Sequence, residues 1–287
     1  MSETLPSEDR VEPVPPYQKT TAQPGPMKNQ FPFRLGTTSF ILRDDILPNV
    51  HYLKDKVDHI ELLVFEPDEQ SNYPSPEMVA ELNAVAADHD LTYTVHLPIG
   101  IHLGTRDILL RKKNVATFLR AIDATRPLNP HAWDLHLEPD EGSQTNPIHD
   151  LAAWQDSCFQ SLEELKSGGA DPLLVGLETL EYPFEYAEPV VNETGFGICL
   201  DIGHCWYRGY DEDWFIKTLL PKARSFHLHG FDNVRDHRGL NHVPIQKLKR
   251  FINSVAAQPD VADRVVSIEV FGEKHLTPSL EVLHELA

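Results

Sequence analysis

The fold can be read most directly from the stretch Cys199-Leu-Asp-Ile-Gly-His204. Cys199 and Asp201 alternate with apolar residues, which is the pattern of a strand with one buried face. The Ile-Gly-His at its end indicates that the strand breaks into a loop. We therefore expect Asp201 and His204 to be presented together at the carboxyl end of this strand.

Five other stretches repeat this design, in which an apolar, strand-like run carries one or two side chains able to bind a metal ion. They are Thr94–Pro98, Asp134–Leu137, Gly176–Thr179, Phe226–Gly230 and Ser267–Phe271. The recurrence of the design is the strongest signal in the sequence. It predicts a multinuclear metal site in the mouth of a barrel.

Strand and helix signals alternate from Phe33 to the end of the chain. The predicted strands are Arg34–Ile41, His59–Phe65, Leu91–Leu97, Trp133–Leu137, Leu173–Thr179, Gly197–Ile202, Ser225–His229 and Val265–Phe271. The predicted helices are Leu47–Lys56, Pro76–Asp88, Asp107–Thr125, Ile148–Leu165, a weak helix broken by Pro183 and Pro189, Glu212–Leu220, Pro244–Ala256 and Pro278–Ala287. Eight such pairs favour an α/β fold of the (β/α)₈ TIM-barrel type. The alternative, an open doubly wound sheet, is disfavoured because no glycine-rich phosphate loop follows the first strand.

The amino-acid composition predicts where the folded domain begins and which classes of partner are disfavoured. Residues 1–30 are rich in proline and acidic residues and predict a disordered tail, whereas residues 31–287 predict one catalytic barrel domain. The net charge of −19, from 25 basic and 44 acidic residues, argues against a general nucleic-acid binder. Three cysteines are too few for a disulfide framework. With neither a basic-then-apolar leader nor a run of ~18 apolar residues, we expect a cytoplasmic protein without membrane partners.

Side-chain parity places the polar residues inside the barrel. Because alternate strand residues face opposite sides, the apolar set must face the helices and the polar set must point inward. An unpaired buried carboxylate costs several kcal/mol, and Glu178, Asp201 and Glu269 would each incur that cost. Metal cations would compensate them, and nitrogen and carboxylate donors suit Zn, Mn or Fe. The alternative is a set of carboxylate–histidine pairs that satisfy one another.

The ordered stretches resemble the superfamily of xylose-isomerase-like barrels that includes the type 2 apurinic endonucleases. The resemblance implies a cluster of two or three divalent transition metal ions at the barrel's carboxyl end. It implies as their ligands His96, His136, Glu178, Asp201, His204, His227 and Glu269. The family's Asp-x-His motif is replaced by the adjacent pair Asp236-His237. The ligands of a third ion are therefore open among His229, Asp236, His237 and His242.

The superfamily that the chain resembles contains two enzyme classes. Sugar isomerases and epimerases hold one ion with the equivalents of Glu178, Asp201, His227 and Glu269, whereas phosphodiesterases add histidines from the third and fourth strands. His96 and His136 occupy those positions, which favours phosphoester hydrolysis over a single-metal sugar isomerase or epimerase. An abasic-site endonuclease is the second alternative, and the net charge of −19 counts against DNA as its substrate.

At a finer level the chain resembles the cobamide-remodelling phosphodiesterases of this superfamily. The resemblance rests on Gly36–Phe40, Asp45–Val50, Val57–Leu62, His96–Pro98 and His227–Gly230 followed by Asp236-His237. It implies a small-molecule corrinoid phosphodiester as substrate, cleaved to cobinamide phosphate and an α-riboside. We expect Glu178 and Glu269 to be the catalytic carboxylates. Glu61, by its inward parity, is a candidate for substrate contact or for supporting a ligand, and Arg106, Arg235 and Arg238 are candidates for offsetting the phosphate charge.

Overall fold

Eight parallel strands close into a barrel in the computed structural model, which describes residues 25–66, 72–138 and 150–287. Each strand pairs with the next one along the chain, and the last strand pairs with the first. The strands are β1 Arg34–Thr38, β2 His59–Leu63, β3 Thr92–His96, β4 Trp133–Leu135, β5 Val175–Glu178, β6 Gly197–Asp201, β7 Ala223–Leu228 and β8 Val265–Ile268. The predicted (β/α)₈ TIM barrel is confirmed.

Helices connect the strands, as a parallel sheet requires. They are α1 Ile46–Leu53, α2 Pro76–His89, α3 Ile108–Thr125, α4 Leu151–Ser167, α5 Glu188–Thr194, α6 Ile202–Arg208, α7 Glu212–Trp214, α8 Ile245–Ala256 and α9 Glu273–His284. A π-helical turn, Phe215–Leu219, extends α7. The prediction that α9 begins at Pro278 is wrong, because this proline lies inside the helix. The Ser279 hydroxyl donates to the His275 carbonyl (2.6 Å) beside it.

A second correction concerns the start of α6. The predicted loop after Cys199–Asp201 is in fact a helix that begins directly at Ile202. Asp201 is both the last residue of β6 and the N-cap of α6, and its Oδ1 accepts a hydrogen bond from the backbone N–H of His204 (2.9 Å). His204 is therefore held in the first helical turn, beside the strand end.

The barrel has an apolar outer layer and a polar interior. Leu200, Phe226 and Leu228 are fully buried between the sheet and the helices. Inside, Glu61 and Asp134 are also fully buried, as the strand parity predicts. The Oδ1 atom of Asp134 accepts a hydrogen bond from Ser225 (2.6 Å). A Cβ atom at Gly176 would lie 2.8 Å from that same Oδ1, so this glycine makes room for the buried carboxylate.

The chain packs against the barrel before residue 31, the predicted start of the domain. Met27 is fully buried, and its backbone N–H donates to the carbonyl of Lys56 (2.8 Å). Residues 1–24 of the predicted tail lie outside the described residues. No helix in the described ranges is long and apolar enough to cross a membrane.

Candidate metal centre

The carboxyl ends of the strands bring the predicted ligands to one place. His96, Glu178 and Asp201 are the last residues of β3, β5 and β6, and their side chains are buried. His136 and Glu269 directly follow β4 and β8. Because parallel strands present their carboxyl ends at one face of the barrel, residues far apart in sequence become neighbours there.

A first donor set consists of His96, His136 and Glu178. The Oε2 atom of Glu178 lies 3.1 Å from Nε2 of His136 and 3.4 Å from Nε2 of His96. His96 donates through Nδ1 to the carbonyl of Leu97 (2.9 Å), which leaves its Nε2 facing the cluster. On His136, Nδ1 lies 3.7 Å from the carboxylate of Glu138. Such outer partners fix the orientation of a ligating imidazole.

A second donor set consists of Glu178, Asp201, His227 and Glu269, whose donor atoms lie within 4.8 Å of one another. Nδ1 of His227 lies 3.2 Å from Glu178 and 3.3 Å from Glu269. Glu178 belongs to both sets. A carboxylate shared in this way can bridge two ions, which in two-metal sites lie about 4 Å apart.

A third donor set shares Asp201 with the second set and consists of Asp201, His204, His229 and His237. Nε2 of His229 lies 3.2 Å from Asp201 Oδ2. A Cβ atom at Gly203 would lie 2.5 Å from the His229 ring, so a glycine in the first turn of α6 is what allows this approach.

The adjacent pair Asp236-His237 faces the same region. His237 has φ +50°, a left-handed conformation that is uncommon for a residue other than glycine. With this backbone, Asp236 lies 3.6 Å from Nδ1 of His204 while Nε2 of His237 lies 3.3 Å from Glu269. The structure therefore brings His229, Asp236 and His237 to the centre. His242 belongs to no donor set among the described residues.

Unsatisfied atoms test whether the centre fits metal ions. Six buried donor atoms at this position have no hydrogen-bond partner within the described part of the chain. They are Glu178 Oε1, Asp201 Oδ2, His204 Nδ1, His227 Nδ1, His229 Nε2 and Glu269 Oε2. Buried polar atoms are nearly always hydrogen-bonded, so a convergent group that has only ion-pair contacts of 3.2–3.8 Å points to bound cations. The donor chemistry of nitrogen and carboxylate oxygen therefore fits divalent ions better than a self-satisfied network of pairs.

Electrostatics agree with an anionic pocket that attracts cations. Burial raises the pKa of Glu178, but the neighbouring imidazoles of His136 and His227 outweigh it and hold that pKa well below its usual range. Burial lowers the pKa of His136, but the carboxylates of Glu178 and Glu138 outweigh it and raise that pKa to about 10. In the metal-free protein, a proton on His136 thus offsets part of the carboxylate charge that divalent ions would otherwise offset.

Glu61 occupies a different place from the predicted substrate contact. It is fully buried below the centre, with its Oε1 3.0 Å from Nε2 of His227. Since Nδ1 of the same ring faces Glu178 and Glu269, Glu61 lies behind His227 and away from the mouth. It fits the alternative role of supporting a ligand, because a carboxylate at this ring nitrogen fixes the orientation of the imidazole.

The predicted phosphate-neutralising arginines have other positions. Arg106 forms an ion pair with Asp150. Arg238 pairs through Nε with Asp232 (2.8 Å). Arg235 is exposed in the loop between β7 and α8, where its backbone N–H donates to the same Asp232 (2.9 Å). None of the three is among the residues that line the cavity at the mouth.

The sequence pattern does not predict the three phenylalanines that lie beside the metal-binding residues. Phe40, Phe65 and Phe271, which follow β1, β2 and β8, line the same cavity as His96, His136, His237 and Glu269. Phe40 and Phe271 are each 41% exposed. Their only sequence signal is their position just beyond a strand's carboxyl end.

Comparisons with known proteins agree with the fold. A family model described as xylose isomerase-like TIM barrel matches residues 54–286. A search of curated proteins finds no significant match. Solved structures that resemble the chain include a D-tagatose 3-epimerase-like protein, with 19% identity, 88% of this chain and 97% of that chain covered, and a TM-score of 0.69.

Two further solved structures carry different activities in their names. Endonuclease IV from Thermus thermophilus shares 18% identity, with 88% of this chain and 99% of that chain covered and a TM-score of 0.65. D-psicose 3-epimerase from Clostridium cellulolyticum shares 16% identity, with 88% and 98% covered and a TM-score of 0.64. At these identities the likeness shows the fold alone.

Proposed function

This chain belongs to the xylose isomerase-like TIM barrel family, and within that family we propose that it is a metal-dependent phosphodiesterase acting on a small-molecule phosphodiester. The substrate proposed is a cobamide, whose nucleotide loop would be cleaved to cobinamide phosphate and an α-riboside. Metal-dependent phosphodiester hydrolysis and the cobamide substrate are separate parts of this proposal. They rest on different observations and are tested separately.

The hydrolytic part rests on the two donor sets joined by Glu178. A single-metal isomerase or epimerase requires only the set that contains Asp201, His227 and Glu269. In this chain His96 and His136 add a second set that approaches the same carboxylate, with Nε2 of each ring 3.4 and 3.1 Å from Oε2 of Glu178. Two adjoining cation sites are the arrangement that an in-line displacement at phosphorus uses.

Each side chain has a role consistent with this chemistry. Divalent ions in these sets would bind the phosphate oxygens, lower the pKa of a bound water toward ~7 and stabilise charge on the leaving oxygen. Glu178 would hold both sets together, and Glu269 would complete the second set next to His237. Glu61 would keep the ring of His227 in the orientation that aims Nδ1 at the cluster.

The cobamide part is supported by the order of the motifs along the chain and by charge. Gly36–Phe40 and His227–Gly230 include the carboxyl ends of β1 and β7 at the mouth, whereas Val57–Leu62 covers the amino end and body of β2. The net charge of −19 disfavours DNA, because a binder of duplex DNA gains its affinity from basic side chains at the phosphates. A small corrinoid phosphodiester makes no such demand on the whole surface.

A sugar epimerase is the second candidate, favoured by one observation. Glu178, Asp201, His227 and Glu269 alone could hold one ion, and two of the similar solved structures are named as epimerases. In that enzyme class His96 and His136 would contribute to substrate binding and not to a second ion. The number of ions and the effect of removing these histidines therefore separate the two classes.

Product analysis tests the substrate. We expect incubation with adenosylcobalamin and Mn²⁺ or Zn²⁺ to release a corrinoid phosphate and a free α-riboside, detected by chromatography and mass spectrometry. Interconversion of ketoses without corrinoid turnover would establish the epimerase instead. Efficient nicking of abasic duplex DNA with cobamides untouched would make the substrate assignment wrong while leaving the hydrolytic assignment intact.

A further inference from the structure

The cavity at the barrel mouth has two chemically different sides within about 350 Å³. One side carries the donors His96, His136, His237 and Glu269, whereas the other is formed by apolar side chains that include Ile99. Ligand cavities of this size take small molecules or parts of them, and their few polar groups orient the bound group. One ligand can therefore touch both the metal centre and the apolar side.

The apolar side is built around three phenylalanines, which we name the aromatic shelf: Phe40, Phe65 and Phe271. Phe40 lies at the middle, with ring centroids 6.0 Å from Phe65 and 6.5 Å from Phe271 in edge-to-face geometry. These rings come from the loops after β1, β2 and β8, whereas the donors come mainly from β3 to β8. The mouth is thus divided into an aromatic sector and a metal-binding sector.

The shelf adjoins the metal centre directly. The ring of Phe271 stacks on the ring of His237, with centroids 5.1 Å apart and an interplanar angle of 27°. His237 in turn lies 3.3 Å from Glu269. A group attached to a phosphate at the metal centre would therefore reach the shelf without leaving the cavity.

Exposure indicates that the shelf receives a ligand. Phe40 and Phe271 keep 41% of their surface accessible, although burying a phenylalanine side chain would stabilise the fold by about 1.5–3 kcal/mol. Contiguous exposed aromatic surface rimmed by polar side chains is typical of a binding site. The edge-to-face packing also leaves ring surface available for a further planar group.

The chemistry of the shelf selects the class of ligand. Phenylalanine offers no hydrogen-bond donor or acceptor, so the shelf can hold a ligand only through its ring faces and edges. A planar heteroaromatic ring instead gains stacking, which is worth about 1–3 kcal/mol for a nucleobase on an aromatic side chain. The shelf therefore suits a flat ring.

We propose that the aromatic shelf binds the planar heteroaromatic base carried by one substituent of the scissile phosphate. The proposal rests on the proposed phosphodiesterase function and names which part of the substrate is recognised. Recognition through a flat ring, and not through base-edge hydrogen bonds, would let the enzyme accept several different bases. The aromatic shelf is then the part of the mouth that recognises the nucleoside of the phosphodiester.

Indole tests the shelf independently of the reaction, because it is flat and heteroaromatic but has no basic nitrogen to bind a metal ion. We expect the wild-type protein to bind indole in calorimetric titrations, and Phe40→Leu and Phe271→Leu to bind it about tenfold more weakly. Phe271→Tyr, which keeps the ring, should retain the affinity. Leu173→Ser is the control, because Leu173 is 72% exposed and precedes β5 at the opposite end of the barrel.

Kinetics on adenosylcobalamin give the second readout. We expect Phe40→Leu and Phe271→Leu to raise KM about tenfold with a smaller change in kcat. If cobamides are not cleaved but the leucine variants lose indole binding, the shelf stands and the reaction assignment fails. If cobamides are cleaved with unchanged KM in both variants, the shelf proposal is wrong and the reaction assignment stands. Wild-type binding of D-fructose without binding of indole would also overturn the shelf.

Discussion

At the scale of single residues, Glu178 has the greatest influence on the chemistry of the site. Its carboxylate is almost completely buried and faces the imidazoles of His96, His136 and His227 within 3.4 Å. Such a carboxylate would be costly without cations around it. Its membership of two donor sets would let the end of one strand serve two ions.

The two histidines unique to the first donor set provide a test of hydrolysis. We expect His96→Ala and His136→Ala each to lower kcat for phosphodiester cleavage by about a thousandfold, because a bound ion supplies several kcal/mol of transition-state stabilisation. Steady-state rates measured with excess Mn²⁺ check this. His51→Ala is the matched control, since His51 lies on α1 and pairs with Glu81 outside the barrel. Near-normal turnover in both site variants would remove the reason for preferring hydrolysis.

The sequence predicts the inward-facing residues well because strand parity is a local property. His96, Glu178 and Asp201 lie where alternation places them. The position of Glu61 relative to His227 depends on the register between β2 and β7, which are not neighbours in the barrel. The aromatic shelf escaped prediction for a similar reason, since Phe40 and Phe271 follow strands that are far apart in the sequence and only become neighbours when β8 pairs with β1.

At the scale of elements, Asp201 at the junction between β6 and α6 both caps a helix and belongs to the candidate metal centre. Asp201 uses Oδ1 to cap the helix and leaves Oδ2 facing His229 and His204, at 3.2 and 3.5 Å. The sequence does not reveal this helix because its seven residues, Ile202–Arg208, are too few to show a clear helical period. The capping aspartate was recognisable only as a metal ligand.

A pair of substitutions at Asp201 separates its two roles. Asp201→Asn keeps an oxygen that can cap α6 but removes the charge, so we expect metal affinity to fall while the metal-free fold keeps its cap. Asp201→Ala removes both, and its metal-free form should be less stable than that of Asp201→Asn by about 1 kcal/mol. Urea unfolding in the presence of a chelator measures this difference. Equal stability of the two metal-free variants would show that the cap contributes nothing.

At the scale of the whole molecule, the barrel concentrates acidic side chains at one end of its interior. Glu178, Asp201 and Glu269 are buried together, and the buried carboxylates of Glu61 and Asp134 face Nε2 of His227. An apolar barrel core would be easier to stabilise than this one, because burying charges costs free energy. The arrangement is consistent with a fold whose stability depends on bound cations, since a ligand that binds only the folded state stabilises it.

The number of metal ions per chain tests the central claim most directly. We predict that elemental analysis of protein purified without chelator finds at least two divalent transition metal ions per chain. Removal of each ion should lower the Tm by about 10 °C, the loss expected for one ion present at about a thousand times its Kd. One ion per chain would contradict the paired donor sets and favour the epimerase. No bound metal, with no rise in Tm when Mn²⁺ or Zn²⁺ is added, would contradict the metal centre itself.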